Sequence, residues 1–258
     1  MQAVDLAFET FGRPENPPLL ILHGFLASSR NWRQIALKLA EAHYVYTLDQ
    51  RNHGASPHID AMDYPEMAAD IGVFMDKTGL AKADILGHSM GGKVAMWFAL
   101  HHPERVDKLL IADVAPVRYS HDYSTIMSAL MALPLKSLKS RKEAELLLAD
   151  AIPDLSYRQF LLQNLLLENG SFRWRIDLAI VAKHAANIIG FPDTSQVEAY
   201  QGDVLFLAGA DSNFVDPDRL PALFPHAKLA VIDGAGHWLQ VQQPEKFMQA
   251  VENFYAQY

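Results

Sequence analysis

The sequence predicts an α/β domain with a mostly parallel sheet, interrupted by a helical insertion. Short, continuous apolar runs of strand length alternate with amphipathic helical stretches, as expected where strands are buried on both faces by crossover helices. That alternation stops at Pro116 and resumes at Val204. The chain has 258 residues, 50% of them hydrophobic, which is enough for one full-sized domain and a modest insert.

In chain order, residues 19–23 (LLILH) are the first apolar run, and 31–42 follow with Trp32, Ile35, Ala36 and Leu39 at helical spacing. Residues 44–48 (YVYTL) read as a strand, and 64–75 as a helix with Pro65 in its first turn. A short strand over 84–87, a helix over 90–102 stopped by Pro103, and a strand over 109–112 (LLIA) complete the first half. Helical segments are then expected over 123–133, 141–151, 156–167 and 176–189, with a small irregular turn at 169–175. Strands at 204–208 and 229–232 and a helix at 244–255 restore the rhythm. Residues 1–116 and 201–258 are therefore expected to form the core, and 117–200 a helical cap.

Composition narrows the function. With 22 Lys and Arg against 30 Asp and Glu, the net charge is −8, which argues against nucleic acid or an anionic membrane as the main partner. No cysteine is present, so disulfides, thiolate catalysis and cysteine-based metal sites are excluded. The N-terminal stretch lacks the basic, then apolar, character of a signal peptide. The longest uncharged stretches, 16–29 and 123–135, fall short of the ~20 apolar residues of a membrane span. The expectation is a cytoplasmic, soluble monomer or small homo-oligomer needing neither metal nor organic cofactor.

Gly87-His88-Ser89-Met90-Gly91 matches G-x-S-x-G, directly between a predicted strand and a predicted helix. A sharp turn there lifts the Ser89 hydroxyl above the sheet as a nucleophile; the bland alternative is a serine that only caps the helix. Two backbone N–H groups would stabilise an oxyanion: Met90, next to the nucleophile, and Phe25, in the loop after the first apolar strand. The general base is expected late in the chain, and His237 sits in Gly234-Ala235-Gly236-His237-Trp238, just after the last strand. His43, His58, His121 and His226 read as surface residues, and His23 as a loop-bracing one. Two aspartates at strand ends, Asp113 and Asp211, are candidates for the acid that orients the imidazole.

Five segments carry a resemblance to a known family: His23-Gly24-Phe25, residues 49–56 (DQRNHGAS), residues 87–93 (GHSMGGK), residues 111–116 (IADVAP) and residues 234–238 (GAGHW). On these the chain resembles the α/β-hydrolase superfamily over essentially its full length, and more closely the YbfF-type bacterial esterases, relatives of abhydrolase domain-containing protein 11. The resemblance implies Asp113 as the acid. Ser212 then occupies the register where many capped hydrolases carry an aspartate, as an auxiliary group near His237. It also implies that the 49–56 loop, including His53, supports the site rather than reacting. The implied substrates are carboxylic esters of short to medium acyl chain, or acyl-CoA thioesters.

Carbon-carbon bond hydrolases and a menaquinone-pathway lyase share this kind of triad, and a non-catalytic binding protein is the alternative of a different class. Leu130, Met131, Leu133, Leu135, Leu138, Phe160, Leu161, Leu165, Ile188 and Phe191 are candidates for an acyl pocket. Lys136, Lys139, Arg141 and Lys142 are candidates for contacts to an anionic substrate.

Overall fold

The computed structural model describes residues 2–256. The first part of the chain runs β1 (Phe8–Phe11), β2 (Pro18–Leu22), α1 (Arg33–Leu39), β3 (Tyr44–Leu48), α2 (Tyr64–Thr78), β4 (Ala83–His88), α3 (Met90–His101) and β5 (Val106–Ala112). The inserted region carries α4 (Ser124–Met131), α5 (Arg141–Leu147), α6 (Leu155–Leu161), β6 (Leu165–Glu168), β7 (Ser171–Trp174) and α7 (Leu178–Ile189). The chain then returns to the sheet through β8 (Asp203–Gly209) and β9 (Lys228–Ile232), followed by α8 (Leu239–Gln242) and α9 (Pro244–Tyr255).

The main sheet has the order β1-β3-β2-β4-β5-β8-β9. β1 pairs antiparallel with β3, and every other pairing is parallel. Every residue of β4 is buried, as its central place requires, and two apolar clusters pack the opposite faces of the sheet. α2 begins with Asp63 accepting from Glu66 N–H and ends on Gly79 at φ 73°, a helix stop in which glycine avoids a Cβ penalty.

Some local expectations change. β1 was not anticipated: FETF is a four-residue edge strand whose exposed and half-buried residues alternate. The helix expected over 31–42 is a 3-10 turn, Ser29–Trp32, followed by the shorter α1. The helix expected over 156–167 ends at Leu161, and the region expected as an irregular turn is one arm of a β6–β7 hairpin. Its turn residues, Asn169 at φ 49° and Gly170 at φ 79°, supply the two positive φ values that a tight hairpin of right-handed twist requires.

The insert is tied to the sheet-bearing part at several points. Tyr64 Oη donates to Ile188 O at 2.6 Å, and Asn164 Nδ2 donates to Leu26 O at 2.7 Å. Lys93, on α3, is buried with its ammonium donating to Val117 O, Ile189 O and Gly190 O at 2.8, 3.0 and 2.5 Å. One side chain thus joins the two ends of the insert. Burial and the charge of Arg118 push that ammonium down to about 7, while the three carbonyls favour its protonated form.

Candidate active site

Ser89 lies in the turn between β4 and α3 at φ 52°, ψ −119°, a conformation that L-residues rarely adopt. The turn closes only because its neighbours lack side chains. A Cβ on Gly87 would meet Gly91 O at 2.4 Å, and one on Gly91 would meet Leu22 O at 2.2 Å. Ser89 N–H donates to Ala112 O, tying the turn to the end of β5.

Asp113 follows β5 directly, also at positive φ (51°), and is fully buried. Its Oδ1 accepts from Gly209 N–H at 3.0 Å; its Oδ2 accepts from Ser212 Oγ at 2.5 Å and lies 2.8 Å from His237 Nδ1. Burial alone would raise this carboxyl, but the hydrogen bonds from His237, Ser212 and Gly209 outweigh it and hold the group below the ordinary carboxylate range. A carboxylate only accepts, so Nδ1 carries the imidazole proton and Nε2 presents its lone pair. Nε2 lies 3.0 Å from Ser89 Oγ. Asp211 is exposed and engages the loop through its backbone N–H, which donates to Ala235 O.

The loop bearing His237 is held by groups around it. His88 Nε2 donates to the His237 carbonyl at 2.8 Å, and burial together with the neighbouring His237 pushes the His88 imidazole down to about 3, so it is neutral. Phe214 stacks on the His237 ring at 4.3 Å between centroids, and its carbonyl accepts from Tyr119 Oη at 2.7 Å. No local sequence pattern marks Phe214 or Tyr119 for these roles.

On the other side of Ser89, Met90 N–H is at the first position of α3, where a helix supplies no acceptor of its own. Phe25 is in the loop after β2, which is braced by two neutral histidines. His23 Nδ1 donates to Gly24 O while Nε2 accepts from Gln50 N–H; His53 Nδ1 donates to Arg51 O while Nε2 accepts from Leu26 N–H. With both nitrogens of each ring engaged and burial pushing His53 to about 3, these imidazoles hold backbone in place. Arg51 is likewise buried, with its guanidinium on Asp70 and Glu66.

Ser89, His237, Phe25 and Gly24 line a cleft of about 580 Å³ whose walls include Trp32, Tyr123, Ile126, Tyr157, Phe160, Phe214 and Trp238. The core and the insert both contribute. Of the ten apolar candidates for an acyl pocket, Phe160 lines this cleft and Ile188 a small cavity beside Ser89 and Phe25; Leu130, Leu133, Leu138, Leu161 and Leu165 are buried in the core, Leu135 and Phe191 pack against it half-buried, and Met131 is 52% exposed. Two histidines expected at the surface are elsewhere: His121 lines the cleft, and His43 is buried with Nε2 3.5 Å from Asp84 Oδ2. Among the described residues no cluster of His, Asp and Glu is arranged to hold a metal ion, and no helix is long and apolar enough to cross a membrane.

A mostly parallel sheet of this order, with a serine on a strained turn after its central strand, is the architecture of the α/β hydrolases. The chain belongs to the alpha/beta hydrolase fold family, which it matches over residues 17–244. Among its relatives, the sn-1-specific diacylglycerol lipase ABHD11 of Xenopus laevis is 36% identical over 98% of this chain and 84% of its own length. Esterase YbfF of Escherichia coli K12 is 31% identical over 93% of both chains. A solved marine microorganism esterase superposes with a TM-score of 0.93 at 39% identity, covering 98% of this chain and all of its own.

Proposed function

We propose that the protein is a serine esterase that cleaves carboxylic esters of short to medium acyl chain, with acyl thioesters as a second class, through an acyl-enzyme. The observation that carries this reading is the continuous contact from Asp113 to His237 to Ser89, at 2.8 and 3.0 Å, at the base of an apolar cleft. Similarity to an esterase and a diacylglycerol lipase of nearly full alignment supports the same class of substrate.

In this mechanism His237 Nε2 takes the Ser89 proton as Oγ attacks the ester carbonyl, and Asp113 stabilises the imidazolium that forms. The N–H groups of Phe25 and Met90 receive the oxyanion. Collapse of the tetrahedral species expels the alcohol or thiol, which takes the proton from His237. Water, deprotonated by the same imidazole, then attacks the acyl-enzyme and frees the carboxylic acid. No step calls on a cofactor.

In this reading residues 117–200 act as the cap, supplying Tyr123, Ile126, Tyr157 and Phe160 to the acyl-facing wall, and 1–116 with 201–258 form the catalytic core. A cytoplasmic place of action agrees with the cysteine-free composition. The test is steady-state hydrolysis of a p-nitrophenyl ester series together with labelling by a fluorophosphonate. Ser89→Ala and His237→Ala are expected to lower kcat by at least ~10³ with the fold retained, and Ser89→Ala to abolish labelling. Normal turnover in either variant, or a wild-type protein that neither labels nor hydrolyses esters, would overturn the proposal.

A further inference from the structure

Beside the cleft lies a second cavity, of about 600 Å³, whose lining includes Arg30, Arg141, Lys142 and Arg175. It shares Gln159 and Gln163 with the cleft that holds Ser89, so those two side chains form the partition between them. Gln163 is itself held by a hydrogen bond from Asn31, which also lines the cleft. On the far side, Arg30 and Arg175 also line a third cavity, of about 730 Å³, together with Arg173 and the carboxylates Glu9 and Asp49.

These five cations differ in how they are satisfied. Lys142 is paired with Glu145, and Arg173 with Glu168. Arg141 is pinned by two hydrogen bonds to one neutral carbonyl, Leu165 O, at 3.1 and 2.7 Å, so its charge is oriented but not neutralised. Glu145, the acidic residue lining the second cavity, is occupied by Lys142 and Gln159.

Among the described residues, no carboxylate lies within ion-pair distance of Arg30 or Arg175. Burial and the charges of Arg30, Arg173 and Arg141, opposed by Asp49, hold the Arg175 guanidinium below its ordinary value. A protein of net charge −8 thus gathers guanidiniums without a carboxylate at ion-pair distance in a concavity that adjoins the cleft of Ser89. Guanidiniums left without carboxylates in a concave site bind phosphate oxygens in paired hydrogen bonds.

We propose that this basic cavity is a subsite for a phosphate or diphosphate on the substrate, engaged while the scissile acyl group lies against Ser89. The inference rests on the esterase reading and adds to it. It defines the favoured substrates as acyl esters or thioesters that carry phosphate some distance from the bond cleaved. Arg30 and Arg175 supply the charge, Arg141 a fixed donor, and the Gln159–Gln163 partition the surface over which the connecting atoms pass. The same chemistry occurs in two sources, the phosphates of a nucleotide-borne thioester and the headgroup of a glycerophospholipid.

The test uses two matched pairs that differ by phosphate groups. One pair is S-butyryl-4′-phosphopantetheine and S-butyryl-pantetheine; the other is dihexanoyl-phosphatidate and dihexanoylglycerol. In the wild-type protein the phosphorylated member of at least one pair is expected to have the higher kcat/KM. The double variant Arg30→Ala/Arg175→Ala should reduce that ratio by at least ~10-fold, mainly through KM. Lys38→Ala, which removes an exposed cation on α1 outside these cavities, should leave the ratio unchanged. The pair that responds identifies the source of the phosphate.

A ratio near one in the wild type, or one that the double variant leaves unaltered, would overturn the subsite. Calorimetric titration of adenosine 3′,5′-bisphosphate and of glycerol 3-phosphate into Ser89→Ala protein separates this outcome from failure of the esterase reading. Saturable binding that the arginine substitutions remove supports the subsite even if no ester is turned over. Absence of binding by both probes, with esters still cleaved, sinks the subsite alone.

Discussion

Positive φ recurs at Leu26, Asn52, Ser89 and Asp113, and each of these non-glycine residues belongs to the site or to a loop that braces it. Such conformations cost on the order of 1–3 kcal/mol each and persist only where surrounding contacts over-determine them. At Asp113 the determining contacts are the bonds from Gly209, Ser212 and His237. Asp113→Asn is expected to lower kcat by ~10² to 10⁴ while KM changes little, because an amide neither fixes the Nδ1–H tautomer nor stabilises the imidazolium. Asp211→Asn should cost less than ~3-fold, since that residue meets the loop through its backbone. Rates of the two variants on one ester check the pair. A larger loss at Asp211 would reverse the assignment of the acid.

At the scale of elements, the α3 lysine fastens both ends of the insert to the core. Lys93→Met leaves three buried carbonyls without their donor and is expected to cost about 2–4 kcal/mol. Urea unfolding measures the loss, and hydrogen exchange should rise first around Val117 and Gly190, where the insert joins the rest. Unchanged exchange at those two points would reject the fastening role. The parallel strands were legible because strands buried on both faces read as unbroken apolar runs, as in residues 19–22 and 109–112. β6 was not, because Leu165, Leu166 and Leu167 continue the apolar spacing of α6 and only the Asn169-Gly170 turn marks the change. Gly87, Gly91 and the glycines before His237 make those two turns readable in sequence. The stacking of Phe214 on His237 and the meeting of Arg30 with Arg175 join residues more than a dozen positions apart and leave no local trace.

Over the whole molecule, buried neutral histidines set the response to acid. His53 and His88 are pushed down to about 3 by burial, against 6.5 when unfolded. Between those values the unfolded chain binds protons that the native protein does not, so stability falls as pH drops from 6.5 towards 3. Each of the two histidines contributes about 1.4 kcal/mol per pH unit across that window. Asp113, held below its ordinary range, adds a further loss at lower pH, as its carboxylate is protonated. Urea unfolding at pH 7, 6, 5 and 4 checks the slope, and a flat profile from 6 to 4 would contradict it. Ser89 and His237 are 148 positions apart, and the imidazole reaches the serine only after β9 has been laid on the edge of the sheet. The entropic cost of closing so long a loop favours its closing late in assembly. During refolding, the central strands should therefore acquire protection before the serine becomes reactive, and the rate at which a fluorophosphonate begins to label Ser89 becomes a clock for the docking of the C-terminal strand.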